Sequence, residues 1–196
     1  MKGNIMKRFI AIMLAACCFL FVTLCGCESR EDREKEQFKP LAQALIEGGV
    51  TICQDIYLGG GLEADVPADN TEFNTETGTY FPVISDKYDK IDKMKRAAEL
   101  VFTNDLASSW LYRDAFEGER PLYREQDGVL CVDITNSEAK AYGINWLYDT
   151  LTITTLSDVH AQATIDTCVG DEAVRSITVD FVRTNDGWRI NSQLFI

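Results

Sequence analysis

One histidine stands among the 196 residues, and that limits the chemistry open to the chain. A serine or cysteine nucleophile needs a neighbouring base, and His160 is the single imidazole available. It falls in residues 159–168, where Val159, Ala161, Ala163 and Ile165 alternate with His160, Gln162, Thr164 and Asp166. That period of two places His160 on the polar face of a strand, a solvent-facing position rather than that of a catalytic base. Carboxylates are plentiful: Glu117 with Glu119, Asp171 with Glu172, Glu31 with Asp32. A glycosidase holds two carboxyls in a cleft at a set separation. These pairs fall instead in loops or a charged segment near the N-terminus, and among 31 acids such neighbours arise by chance. Trp110, Trp146 and Trp188 could line a sugar-binding surface, although tryptophans in apolar runs are more often core. No cysteine or histidine spacing matches a zinc site. Gly59-Gly60-Gly61 lacks the flanking Lys-Ser or Lys-Thr of a phosphate loop and reads as a helix breaker. The expectation is a protein that is not an enzyme, with no cofactor and no metal.

The cysteine with a definite chemistry is Cys27. Lys2, Lys7 and Arg8 precede an apolar run over residues 9–24, the pattern of a secretory signal. The run falls short of the roughly 20 residues a membrane-spanning helix needs. It ends in Leu24-Cys25-Gly26-Cys27, which matches the bacterial lipobox. The match implies cleavage before Cys27 and a diacylglycerol thioether on its sulfur. Two acyl chains give a stable anchor where one gives a marginal one. The reading is a signal peptide over 1–26, a charged tether over 27–36, and one domain over 37–196. The domain is then held at the outer face of the cytoplasmic membrane.

Removing the leader takes three of the 19 basic residues and none of the 31 acids, leaving a net charge of −15. Such acidity argues against nucleic acid and against flat contact with anionic lipid, so the membrane is reached only through the anchor. Besides Cys27, the cysteines beyond the leader are Cys53, Cys131 and Cys168. They could form one disulfide with one buried thiol, or remain three buried thiols. Cys131 and Cys168 both lie in strand-like runs and are the best candidate pair.

The elements that would position these groups follow from periodicity. Phe38, Leu41, Leu45, Ile52 and Ile56 fall at helical spacing, with a kink expected at Gly48-Gly49. Residues 62–79 are rich in Asp, Glu, Asn, Thr and Gly and read as a loop. Residues 80–84 form a short strand that Pro82 assigns to an edge. Ser85-Asp86 offers a helix start, with Ile91, Met94, Ala98, Val101 and Phe102 on one face. Asn104-Asp105 restarts the helix, and Leu106, Trp110 and Leu111 continue the apolar stripe. Asp127-Gly128 and Asp186-Gly187 each sit between alternating runs and predict hairpins. Ile177, Val179 and Phe181, then Trp188 and Ile190, face one side of the last strand pair, with Trp188 expected in the core. The fold class is α+β: an N-terminal helix and a helical pair packed on a curved antiparallel sheet of about six strands.

Four blocks in order carry a family resemblance: Thr79-Tyr80-Phe81-Pro82-Val83, Val101-Phe102-Thr103-Asn104-Asp105-Leu106-Ala107, Tyr123-Arg124-Glu125-Gln126-Asp127-Gly128-Val129-Leu130, and Asp186-Gly187-Trp188-Arg189-Ile190. Their order and spacing resemble the DL-endopeptidase inhibitor (IseA-like) family of Firmicutes, which has many lipoprotein members. The resemblance implies inhibition of NlpC-type cysteine peptidases that cut peptidoglycan stem peptides, and hence a cell-wall hydrolase catalytic domain as partner. The acidic loop with Glu63, Asp65, Asp69, Glu72 and Glu76 is the candidate partner-binding segment. The alternative resemblance is to the NTF2-like cone, whose pocket would bind a small ligand or cell-wall fragment. A cavity lined by Trp or Tyr would favour that alternative, and a filled core would favour the inhibitor reading.

Overall fold

The computed structural model describes residues 29–56, 61–136, 143–170 and 174–195. Cys27, Glu28 and the leader therefore lie outside the described residues, as do Asp171 and Glu172. The chain divides into two units, residues 1–34 and residues 35–196. Of the first, what is described is the start of helix α1 (Arg30–Ile56). Ser29 and Asp32 cap it reciprocally. Ser29 Oγ accepts from the Asp32 N–H at 3.0 Å, and Asp32 Oδ2 accepts from the Ser29 N–H at 3.3 Å. This is a capping box with Asp in the place of Glu. The segment expected as a tether is therefore helical from Arg30.

In the second unit the order is β1 (Tyr80–Pro82), α2 (Ile91–Glu99), α3 (Asn104–Leu106), a π-helical segment (Ala107–Tyr112), α4 (Arg113–Phe116), β2 (Tyr123–Gln126), β3 (Val129–Asp133), β4 (Ile144–Leu156), β5 (His160–Val169), β6 (Arg175–Thr184) and β7 (Gly187–Ile190). The class is α+β, but the strands form two antiparallel sheets rather than one. The first has the order β1-β3-β2 and the second β4-β5-β6-β7. The reason lies in β3: β1 occupies one of its edges and β2 the other, so no ladder can pass on to β4. Pro82 sits on edge strand β1, where its missing N–H removes no ladder bond. Within β4 the register slips between Leu147 and Thr152. There Thr150 Oγ1 substitutes for the ladder, accepting from the Asp166 N–H at 2.9 Å and donating to the Leu147 carbonyl at 2.7 Å.

The two hairpins differ. In β2–β3 both Asp127 (φ 49°) and Gly128 (φ 79°) are left-handed, the type I′ pair that matches strand twist. In β6–β7 Thr184 pairs with Gly187, so the loop residues are Asn185 and Asp186 and only Gly187 has positive φ. Thr184 Oγ1 holds that turn, accepting from the Asp186 N–H and donating to the Gly187 carbonyl.

Helix α1 is the centre of the packing. Phe38 meets Phe181 and Trp188 edge-on, with ring centroids at 5.8 and 4.9 Å. The expected kink at Gly48-Gly49 is absent: the helix runs through both. Gly49 serves close approach, since a Cβ there would lie 2.7 Å from Leu194 Cδ1 and 3.1 Å from Phe102 Cζ. Leu41, expected on the buried stripe, is exposed, and Ala42, Ile46, Val50 and Cys53 are buried instead.

Ser85 does not start α2. Its Oγ accepts from the N–H groups of Lys87 and Tyr88, holding a turn. The helix begins at Ile91, and its N-cap residue, Lys90, makes no capping bond. Glu125 of β2 supplies the cap from across the fold, with Oε1 accepting from the Ile91 N–H at 3.1 Å. The restart after Thr103 is as expected, with Thr103 Oγ1 accepting from the Leu106 N–H.

Candidate functional site

The acidic loop earns its place as the candidate site through the way it is held. All five of Glu63, Asp65, Asp69, Glu72 and Glu76 are exposed. None pairs with a base in a described ion pair. The loop backbone is nevertheless pinned at both ends. At its start the Tyr123 hydroxyl, fully buried, accepts from the Leu62 N–H at 2.7 Å and donates to the Asp55 carbonyl at 3.3 Å. Asp65 donates its N–H to Pro82, and Ile84 donates to Glu63, extending the edge of β1.

At the other end stands Asp133, a fully buried carboxylate. Its Oδ1 accepts from the Thr79 N–H (2.9 Å), the Thr135 N–H (3.0 Å) and Thr135 Oγ1 (2.7 Å). Its Oδ2 accepts from Arg120 Nε at 2.7 Å. Arg120 reaches on to the Thr75 carbonyl and Thr135 Oγ1. Burial pushes the Asp133 carboxyl up, but the bonds from Arg120, Thr135 and Thr79 outweigh it, so the net direction is down. Gly78 (φ 83°) is needed beside it, because a Cβ there would lie 2.5 Å from Asp133 Oδ2. Between these pins, Asn74 Oδ1 accepts from the N–H groups of Glu76 and Thr77. Five carboxylates are thus displayed on a backbone fixed at both ends.

The other expected site residues fall as follows. His160 is exposed on the outer face of β5, 3.8 Å from Asp180 Oδ1, and no nucleophile is bonded to it. Cys131 and Cys168 do not pair. They lie on β3 and β5, in different sheets, and both are free thiols, as is Cys53. Of the tryptophans, none is fully buried: Trp188 leans on Phe38, Trp110 on Phe102, and Trp146 on Phe195. The expected core position of Trp188 is therefore only half attained, because β7 lies at the sheet margin. The carboxylate pairs Glu117 with Glu119 and Glu31 with Asp32 lie apart from any cleft described here. Among the described residues no cluster of His, Cys, Asp and Glu could hold a metal ion, and no helix is long and apolar enough to cross a membrane.

Sequence reasoning missed the two pins, Tyr123 and the Asp133–Arg120 pair. An aspartate ending a hydrophobic strand run was the signal available. It also missed an open groove of about 1090 Å³ between the α2–α3 corner and the β6–β7 hairpin. No Trp or Tyr lines it. No protein-family model matches the chain, and no curated protein matches it significantly.

Proposed function

We propose that this is a lipid-anchored extracytoplasmic binding protein that restrains a peptidoglycan-cleaving cysteine peptidase. Cys27 carries the anchor, and residues 62–79 make the contact. The observation that carries the reading is the fixed acidic loop: a pinned backbone has little conformational entropy left to lose when a partner docks. A mature charge of −15 steers a basic catalytic domain toward it, acting mainly on the association rate. The resemblance of the four sequence blocks to the DL-endopeptidase inhibitors supplies the class of partner. The filled core, with Phe102, Phe181, Leu111, Tyr123 and Ile165 fully buried, favours this over an enclosed aromatic pocket.

The test mixes the full chain, in a mild non-ionic detergent, with NlpC-type peptidases, following both binding and stem-peptide cleavage. The expected result is slowed cleavage at low salt, with association weakening as salt rises. Neutralising Glu63, Asp65, Asp69, Glu72 and Glu76 to their amides should lower the association rate about tenfold or more. Unchanged cleavage and no binding across the peptidases would sink the reading. In cells, Cys27→Ala should abolish incorporation of a fatty-acid analogue, and undiminished labelling would remove the anchor.

A further inference from the structure

The groove at the α2–α3 corner has a composition the acidic loop does not share. Arg189 of β7 is held rigidly: its Nε donates to the Glu99 carbonyl at 2.8 Å and its Nη1 to the Trp188 carbonyl at 2.9 Å. Both acceptors are neutral, and no described ion pair neutralises the guanidinium, so a positioned cation faces the groove. Arg96 of α2 lines the same groove, is exposed, and makes no described hydrogen bond or ion pair. Guanidinium forks suit planar carboxylates. Three acids also line the groove. Glu99 already accepts from the Tyr112 hydroxyl at 3.2 Å, whereas Asp105 and Asp186 make no described side-chain bond to a base.

That mixture selects among ligands. A polyanion would meet Asp105, Asp186 and the net charge of the whole chain, and would be repelled. A zwitterion satisfies both signs. The remaining lining suits a peptide: Asn191, whose Oδ1 is taken by Thr103 Oγ1 at 2.7 Å, keeps its amide N–H groups for a carbonyl, and Leu100, 68 % exposed, offers an apolar wall. We infer that this groove binds a short peptide with free termini, its carboxylate on Arg96 and Arg189 and its ammonium on Asp105 or Asp186. The inference stands apart from the peptidase reading, and either can fail alone.

The probes are trialanine, trialanine amide, N-acetyl-trialanine and inorganic phosphate, titrated into the full chain in detergent and followed by amide NMR shifts. Trialanine should bind with a Kd at or below about 1 mM and move resonances of Leu100, Asn104 and Asn191. The amide and the N-acetyl form should each bind at least about tenfold more weakly, and phosphate more weakly still. Arg96→Gln, at an exposed position that leaves Arg189 and its backbone bonds in place, should weaken trialanine about tenfold. Circular dichroism of that variant should be unchanged. Absence of trialanine binding, equal binding of the amide, or an unaffected Arg96→Gln variant would each overturn the proposal. Phosphate binding as tightly as trialanine would replace the peptide by a simple anion and equally overturn it.

Discussion

Asp133 carries more of the candidate site than any acid on its surface. Every described acceptor direction of its carboxylate meets a donor, so replacing it with an amide forces one N–H against another. Asp133→Asn should cost about 2–4 kcal/mol, the range for spoiling a buried charged hydrogen-bond set. The pH dependence follows in sign. The folded carboxyl titrates below its unfolded value, so its contribution is complete above the unfolded pKa of about 4 and is lost as pH falls through the folded value. Urea midpoints measured from pH 6 down to 2 should therefore fall less steeply for Asp133→Asn than for the natural chain. Equal slopes would mean the carboxylate is not specially held. The sequence offers no sign of this role, because Asp133 and Arg120 are 13 residues apart and become neighbours only once β3 folds back.

At the scale of elements, periodicity was informative wherever one face met one core. The β5 alternation around His160, the turn at Asp127-Gly128 and the edge assignment of Pro82 were all legible for that reason. Periodicity failed where a partner from elsewhere decided the outcome. Ser85 looked like a cap, but the true cap is Glu125, on a strand 34 residues away from Ile91. Gly48-Gly49 looked like a break because glycine is a poor helix former, yet tertiary contact at Gly49 holds the helix through it. The two glycines should therefore respond oppositely. Gly48→Ala brings a Cβ to 3.3 Å from Val101 Cγ2, a contact a small adjustment relieves, and helix propensity offsets it. Its stability should stay within about 0.5 kcal/mol of the parent. Gly49→Ala meets Leu194, Phe102 and Ile190 together, and overpacking should outweigh propensity by about 1–2 kcal/mol. Denaturant midpoints of the two variants check the contrast, and similar values would place Gly49 away from the close contact.

For the molecule as a whole, the sequence made the α+β class plain but not the number of sheets, since both hairpins look alike until the sharing of β3 is known. The same division settles the cysteines. Thiols on different sheets cannot cross-link, so the thermal midpoint should be identical with and without dithiothreitol, and a drop on reduction would restore a disulfide. Ellman's reagent on the native chain should reach Cys168, which is part-exposed, before Cys53. Cys53 is 1 % exposed and its thiol is pushed up by burial, so it should react only on unfolding.

The π-helical turn from Ala107 to Tyr112 has a consequence for how this chain can vary in length. A π turn is an α turn with one residue to spare, so here it works as a phase shifter. It lets Trp110 lean on Phe102 while Tyr112 reaches the Lys95 carbonyl and Glu99. A deletion of one residue would tighten the turn to α and rotate everything after it by about 100°. That rotation would carry Ala115 out of the core and turn Phe116 from Tyr123, the residue on which the start of the acidic loop hangs.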